Sequence, residues 1–82
     1  MNYLIEVTNY NDGTPVAKGM YEYKTENEAI ANFHSKMGGA IKNEKYASEL
    51  LMVVTYAGAV VKNEYWVRPI EAPEPTPAEP EG

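Results

Sequence analysis

The sequence predicts an α+β domain of order ββαββ, in which a four-stranded antiparallel sheet carries one helix packed on one face. Three observations lead to this prediction. Residues 25–43 have helical periodicity behind a capping signal, and four other stretches show the pattern of strands. Glycine-containing turns separate the strands of each flanking pair. A helix across one face of the sheet is the simplest way to bury the apolar stripe of that helix.

The predicted helix begins with a capping box. Thr25 is placed to accept a hydrogen bond from the amide of Glu28, and Glu28 is placed to reach back to the amide of Thr25. Behind this cap, large apolar residues recur at helical spacing and form one stripe with alanines at its edge. The stripe consists of Ile30, Phe33, Met37 and Ile41, and the edge alanines are Ala29 and Ala40.

Two signals compete at the end of the helix. Gly38 and Gly39 suit a C-cap, which would end the helix after Met37. Ile41, however, keeps the phase of the stripe, and an interior glycine costs only about 1 kcal/mol relative to alanine. We therefore expect the helix to continue to about Asn43.

The first strand pair is predicted at residues 2–10 and 16–24. The turn between them, 11–15, contains Asp-Gly, and Gly13 tolerates the positive φ of a tight turn. Gly19 lies inside the second strand, where a glycine marks a bulge or the close approach of another backbone.

The second strand pair follows a polar connector at 44–48. Residues 49–56 form the most apolar strand, Ala57-Gly58 fits a two-residue hairpin turn, and residues 59–67 return along it. Arg68-Pro69 ends the sheet, because proline cannot donate to a ladder.

In this hairpin register Val54 faces Val61 and Leu50 faces Tyr65, so one face of the sheet is apolar and is placed under the helix. The second face should be polar in a monomer, yet it holds six apolar side chains among charged ones. That number on one small sheet indicates a surface for self-association or for a partner, and cover by the C-terminal tail or by loop 11–15 is the alternative. The six residues are Leu4, Tyr10, Leu51, Val53, Val60 and Trp66.

Residues 1–70 form the predicted domain, and residues 71–82 form a disordered tail of prolines and glutamates without apolar periodicity. Four of the 12 acidic residues lie in this tail, which leaves eight acids against seven bases in residues 1–70, a net charge of −1. A nucleic-acid-binding domain would carry a basic surplus there, and an acidic DNA mimic a large acidic one. Both classes are disfavoured.

A domain of about 70 residues buries only about 60% of its unfolded surface and is marginally stable alone. The chain has no cysteine, so neither a disulfide nor a cysteine-ligated metal adds stability. Oligomerisation is the remaining remedy, and we expect a dimer or a larger assembly. The sequence shows no secretory signal and no apolar run of membrane-spanning length, so we expect a soluble, cytoplasmic protein that engages no membrane.

The sequence contains no recognised catalytic motif. His34 is the only histidine, no serine or cysteine nucleophile accompanies it at a known motif, and it suits the edge of the core stripe. Gly38-Gly39 lies inside or after a helix, whereas phosphate-binding glycine motifs precede one. We expect a protein that is not an enzyme and that uses no metal or cofactor.

A continuous helix would align a basic edge, which we call the helix edge. It comprises His34, Gly38, Lys42 and Lys45, with Gly39 beside them. A glycine among basic residues leaves room for an anionic ligand or another chain to approach the backbone. The alternative is that the glycines allow close helix–helix or helix–strand packing while the lysines stay solvated.

Residues 31–43, followed by a hairpin that ends in residues 64–69, resemble small proteins carried by phages and prophages of Gram-positive bacteria. The resemblance covers most of residues 1–70. It implies a phage context, either in the host cytoplasm or in the virion, and it supplies no catalytic residues. Small phage proteins of this size often act by stoichiometric binding.

Two functions fit the sequence. The first is a homo-oligomeric interaction protein that binds itself and then a host or phage protein through its sheet or helix surface. The second is a binder that sequesters an anionic, nucleotide-like small molecule, for which the helix edge provides charge and the seven tyrosines provide stacking surfaces. Tyrosine is also enriched at protein interfaces, so the sequence does not separate the two.

Overall fold

The computed structural model describes residues 1–69, and its elements follow the predicted ββαββ order. The elements are β1 (Asn2–Tyr10), β2 (Ala17–Tyr23), α1 (Glu26–Lys42), β3 (Tyr46–Thr55) and β4 (Val60–Val67). The four strands form an antiparallel sheet of order β2-β1-β3-β4. Among the residues described, no helix is long and apolar enough to cross a membrane. The predicted tail, 71–82, lies outside the described residues.

The capping signal sets the start of α1. The Thr25 side chain accepts a hydrogen bond from the Glu28 amide at 3.2 Å, as predicted, while the Glu28 carboxylate accepts from the Thr25 hydroxyl at 3.4 Å instead of reaching the Thr25 amide. The helix continues through Gly38 and Gly39, and its C-cap is Asn43, which has extended backbone angles. The prediction of a continuous helix is confirmed.

The core lies between α1 and the central strands β1 and β3. The buried stripe of the helix is rotated from the predicted one toward the alanines, since Ile41 is 45% exposed and Ile30 only half-buried. Small side chains at the contact allow a helix to lie close to its neighbour, and Phe33 is the largest side chain with no exposed surface. The buried apolar residues are Leu4, Ala29, Phe33, Met37, Ala40, Leu51 and Val53.

The prediction of which sheet face lies under the helix is wrong. Leu4, Leu51 and Val53, which were assigned to the exposed second face, have no exposed surface and belong to the core cluster with α1. Trp66 is half-buried against the same cluster. Apolar residues occupy both faces of β3 over residues 50–54, so β3 does not itself select the covered face, and Lys36 of the helix pairs with Glu6 on the face that α1 covers.

The other two residues of the predicted interface lie elsewhere. Val60 pairs with Val54 on the face that the helix leaves uncovered, because the register shifts between Val53 and Val54. Tyr10 follows a similar irregularity at the end of β1 and packs its ring edge-on against Tyr46, with 5.1 Å between the ring centroids. Val60 therefore belongs to the uncovered face, and Tyr10 to the end of the sheet.

The connection between β3 and β4 consists of residues 56–59, four residues instead of the predicted two. Thr55 N donates to Ala59 O at 2.9 Å, and Gly58 N donates to Thr55 O at 2.9 Å. Gly58 has a φ of 91°, in the left-handed region that glycine adopts without strain. At its other end β3 begins at Tyr46, inside the predicted connector, because Tyr46 already pairs with β1.

Arg68 closes the end of the helix, although sequence analysis gave it no role beyond ending the sheet. The last carbonyls of a helix have no intrahelical donor and carry a partial negative charge, so a cationic donor satisfies and stabilises them. The guanidinium carbon also lies 4.7 Å from the centroid of the Trp66 ring. The acceptors of the guanidinium are the carbonyl oxygens of Ala40, Ile41, Asn43 and Tyr46, at 3.2, 3.1, 2.8 and 2.8 Å.

Replacing Arg68 removes several charge-assisted hydrogen bonds at once. We expect Arg68→Ala to lower the free energy of unfolding by about 2–3 kcal/mol, measured by urea denaturation of the full chain. Arg68→Lys keeps the charge but not the planar fork, so it should recover only part of the loss. A loss below about 0.5 kcal/mol in the alanine variant would show that the helix end does not depend on the guanidinium.

Candidate functional site

The face of the sheet that α1 leaves uncovered is mostly apolar, and we call its three central rows the open face. The strand registers define rows that run across β2, β1, β3 and β4. The middle row is Met20, Ile5, Met52 and Asn63. The rows on either side are Glu22, Tyr3, Val54 and Val60, and Lys18, Val7, Leu50 and Tyr65.

Nine of these twelve residues are apolar or aromatic. Met20 is 67% exposed, Tyr65 63% and Val60 52%. The charged members, Lys18 and Glu22, both lie on the edge strand β2. Contiguous apolar patches of this kind are rare on monomeric soluble proteins and mark binding surfaces. The open face is therefore the first candidate site.

A polar cluster lies on the opposite face, beneath α1. Lys36 of the helix has its Nζ 3.5 Å from Glu6 Oε1 of β1 and 4.1 Å from the centroid of the Tyr21 ring. The Tyr21 hydroxyl of β2 donates to the same Glu6 oxygen at 3.2 Å. Thr8 Oγ1 donates to Glu49 Oε1 of β3. We call these five residues the buried polar cluster after its buried members, Thr8 and Glu49; Glu6 and Lys36 are partly buried, and Tyr21 is 39% exposed at the margin.

Glu49 is the unusual member of this cluster. Its side chain has no exposed surface, and its second oxygen, Oε2, accepts no hydrogen bond from a described residue. An ionised carboxylate would be costly there. A proton on Glu49 removes that charge. The pKa of Glu49 is raised and the pKa of Glu6 is lowered, so the two carboxyls together hold one proton at neutral pH.

The pKa values of Glu49 and Glu6 shift in opposite directions. Burial first, and the hydrogen bond to Glu6 second, raise the pKa of Glu49 from 4.5 to about 8. Burial also opposes ionisation of Glu6, but the hydrogen bond with Glu49 and the charge of Lys36 outweigh it and lower the pKa of Glu6 below its usual 4.5. Glu49 is closed to solvent, whereas the Glu6 side chain is 15% exposed.

Gly19 makes room for the cluster. A Cβ at this position would lie 2.9 Å from the Tyr21 hydroxyl oxygen, so any side chain would displace the group that donates to Glu6. The pairing of β2 with β1 continues through Gly19 without a register shift. The absence of a side chain at Gly19 therefore leaves space for the Tyr21 ring. The predicted bulge is not present at Gly19, and the neighbour that comes close is a side chain and not another backbone.

The helix edge is accessible at its centre. A Cβ at Gly38 or Gly39 would meet nothing within 4 Å, so these glycines do not serve close packing within the described chain. His34 and Lys42 are exposed. The His34 ring also packs edge-on against Phe33, with 5.4 Å between the centroids, as expected at the margin of the core stripe.

Lys45 does not belong to the helix edge. The helix ends at its C-cap, Asn43, and Lys45 lies in the turn that leads into β3. There the Lys45 amide donates to Asn43 Oδ1 at 3.1 Å, and the Lys45 carbonyl accepts from the Asn11 amide at 2.9 Å. The predicted site is thus reduced to four residues.

Sequence analysis missed the buried polar cluster, and it placed apolar residues of the open face under the helix. Glu6 and Glu49 share a face with Leu4 and Leu51, so reversing the choice of covered face would have placed both acids under the helix. The available signal was an acid on each central strand together with Lys36 beside the core stripe of the helix.

No family model matches this chain, and comparison with curated proteins and with solved structures finds no similar protein. Within residues 1–69, no three histidine, aspartate or glutamate side chains are grouped so that they could hold a metal ion.

The shared proton makes stability depend on pH. Between pH 4.5 and about 8, folded Glu49 keeps a proton that unfolded Glu49 loses, so the free energy of unfolding should fall by up to about 1.4 kcal/mol per pH unit as the pH rises. Glu49→Gln has no proton to lose. Its free energy of unfolding should change little over this range and should exceed that of the wild type near pH 8.

Urea denaturation from about pH 5 to about pH 8 measures this difference. Glu64→Gln, at an exposed position of β4, is the matched control and should keep the wild-type pH profile. Parallel profiles for Glu49→Gln and the wild type would contradict the shared proton.

Gly38→Ala tests whether the helix edge is free. Because Gly38 has helical backbone angles and open space around it, alanine should raise the free energy of unfolding by up to about 1 kcal/mol. Gly39→Ala should act alike, and Lys42→Glu should cost no more than about 0.5 kcal/mol. Chemical denaturation measures all three, and a destabilised Gly38→Ala variant would show that Gly38 contacts another group.

Proposed function

We propose that this protein is a small, non-enzymatic binding protein of phage type that associates with itself and acts by stoichiometric interaction with a host or phage protein in the host cytoplasm. The open face is the observation that carries the proposal. It is an apolar sheet face without a covering layer among the described residues.

The composition of the open face fits a protein partner. The centres of protein interfaces are enriched in tyrosine and methionine and depleted in charge. Tyr3, Tyr65, Met20 and Met52 lie on the open face, and its two charges are confined to one edge strand. A sheet face offers broad contact to another sheet.

The small core favours self-association in particular, because a bound second copy would increase the folding stability. The core contains few large buried side chains, because one helix covers one face of the sheet. A partner that binds only the folded state adds its binding free energy to folding stability. If a second copy occupies the open face, the exposed surface of α1 remains free for a host or phage protein.

Sedimentation of the full chain tests self-association. At micromolar concentration it should give at least twice the chain mass of 9.1 kDa. Met52→Glu places a carboxylate in the middle row of the open face and should yield a folded monomer. Ala31→Glu, at an exposed helix position, is the control and should leave the assembly intact. A wild-type chain that stays monomeric at high concentration would remove the main support for this function.

The second function, sequestration of an anionic, nucleotide-like ligand, has one supporting observation. Gly38 and Gly39 leave backbone uncovered between exposed His34 and Lys42. A thermal-shift screen against nucleotides and cyclic nucleotides tests it, since a ligand at 100 times its Kd adds about 2.7 kcal/mol of stability. A hit should be lost in Lys42→Glu, and a screen without stabilising ligands would argue against sequestration.

A further inference from the structure

The charged residues of the open face restrict how a second copy can pack on it. Lys18 and Glu22 lie on β2 at equal distances to either side of Met20. Among the twelve residues of the open face they are the only charged ones, and Asn63 is the only one with a side-chain amide. Any face-to-face packing must find partners for these three groups.

Two identical sheets packed face to face can be related by a twofold axis that lies between them. An axis parallel to the strands places β2 over β4 of the partner. Lys18 then lies against the partner's Tyr65, and Glu22 against the partner's Val60. Both charges would lose water without gaining an opposite charge, which is unfavourable.

An axis perpendicular to the strands, along the middle row, gives a different result. It places β2 over β2 of the partner in the reverse direction, so Lys18 lies opposite the partner's Glu22, twice in the dimer. Asn63 lies opposite its own copy, where two amides can exchange a donor and an acceptor. The remaining contacts are apolar: Tyr3 on the partner's Val7, Val54 on the partner's Leu50, and Val60 on the partner's Tyr65.

From this pattern we infer that the open face is an isologous homodimer interface whose twofold axis follows the row Met20, Ile5, Met52 and Asn63. The inference rests on the proposed self-association and specifies its geometry. Each apolar residue of the outer rows meets an apolar residue, and each charge meets the opposite charge.

The size of the open side of the sheet is sufficient for such a dimer. Four strands about 4.8 Å apart, each about seven residues long at about 3.3 Å per residue, give roughly 450 Å² in projection. Two such faces bury on the order of 1,000 Å², close to the lower bound of a specific interface. Aligned sheets pack about 10 Å apart at about −30°, and the long side chains of lysine and glutamate reach across the resulting offset.

Charge reversal on the full chain tests this axis. Lys18→Glu or Glu22→Lys alone opposes like charges across the interface and should raise the dimer Kd about fivefold to tenfold at low salt. The double reversal Lys18→Glu/Glu22→Lys restores opposite charges and should return Kd to within about twofold of the wild type. Both positions are exposed, so the variants should fold, which circular dichroism confirms.

Lys24→Glu is the matched control, because it changes the net charge equally at an exposed position just outside β2. It should leave Kd unchanged. If the wild type is a dimer but the double variant has a dimer Kd as high as that of the single variants, the proposed axis is wrong and self-association still holds. A monomeric wild type, with the open face covered by residues 70–82 or by another protein, overturns both the axis and the proposed self-association.

Discussion

A single helix can cover only one face of a four-stranded sheet, and most of this structure follows from that constraint. α1 lies over the central strands and encloses a core built around Phe33. The other face keeps its apolar residues without a covering layer among the described residues. A fold with helices on both faces would have buried them within the chain. Because one helix covers only one face, the monomer is marginally stable and keeps a surface suited to binding.

Charged groups give the helix its direction on the sheet. Apolar contacts are non-directional, so the core alone would permit α1 to slide or rotate. Lys36 joins the middle of the helix to Glu6 of β1, and Arg68 joins its last carbonyls to the start of β3. Partly buried ion pairs add little net stability on average. We infer that these two contacts hold α1 in one position on the sheet, because hydrogen bonds have a defined geometry.

The parts of the fold that sequence predicted depend on local signals, and the parts that it missed depend on tertiary contacts. The cap at Thr25 and the helical period specify α1 without reference to the sheet. Residues 50–54 are apolar without interruption, so alternation cannot choose a covered face. Glu6 and Glu49 come together only through pairing of strands distant in sequence, and Lys45 leaves the helix edge because of the turn at Asn43.

β1 lies beside β3, although β2 and the helix separate them along the chain. Thr8 and Glu49 contact each other across 41 residues, whereas each hairpin closes a short loop. Closing a long loop costs entropy before its contacts form, so hairpins and helix assemble faster than the central ladder. We expect the meeting of β1 and β3 to limit the rate of folding. Until they meet, each hairpin exposes a strand edge that can pair with another copy, so concentrated refolding favours exchange of hairpins between chains.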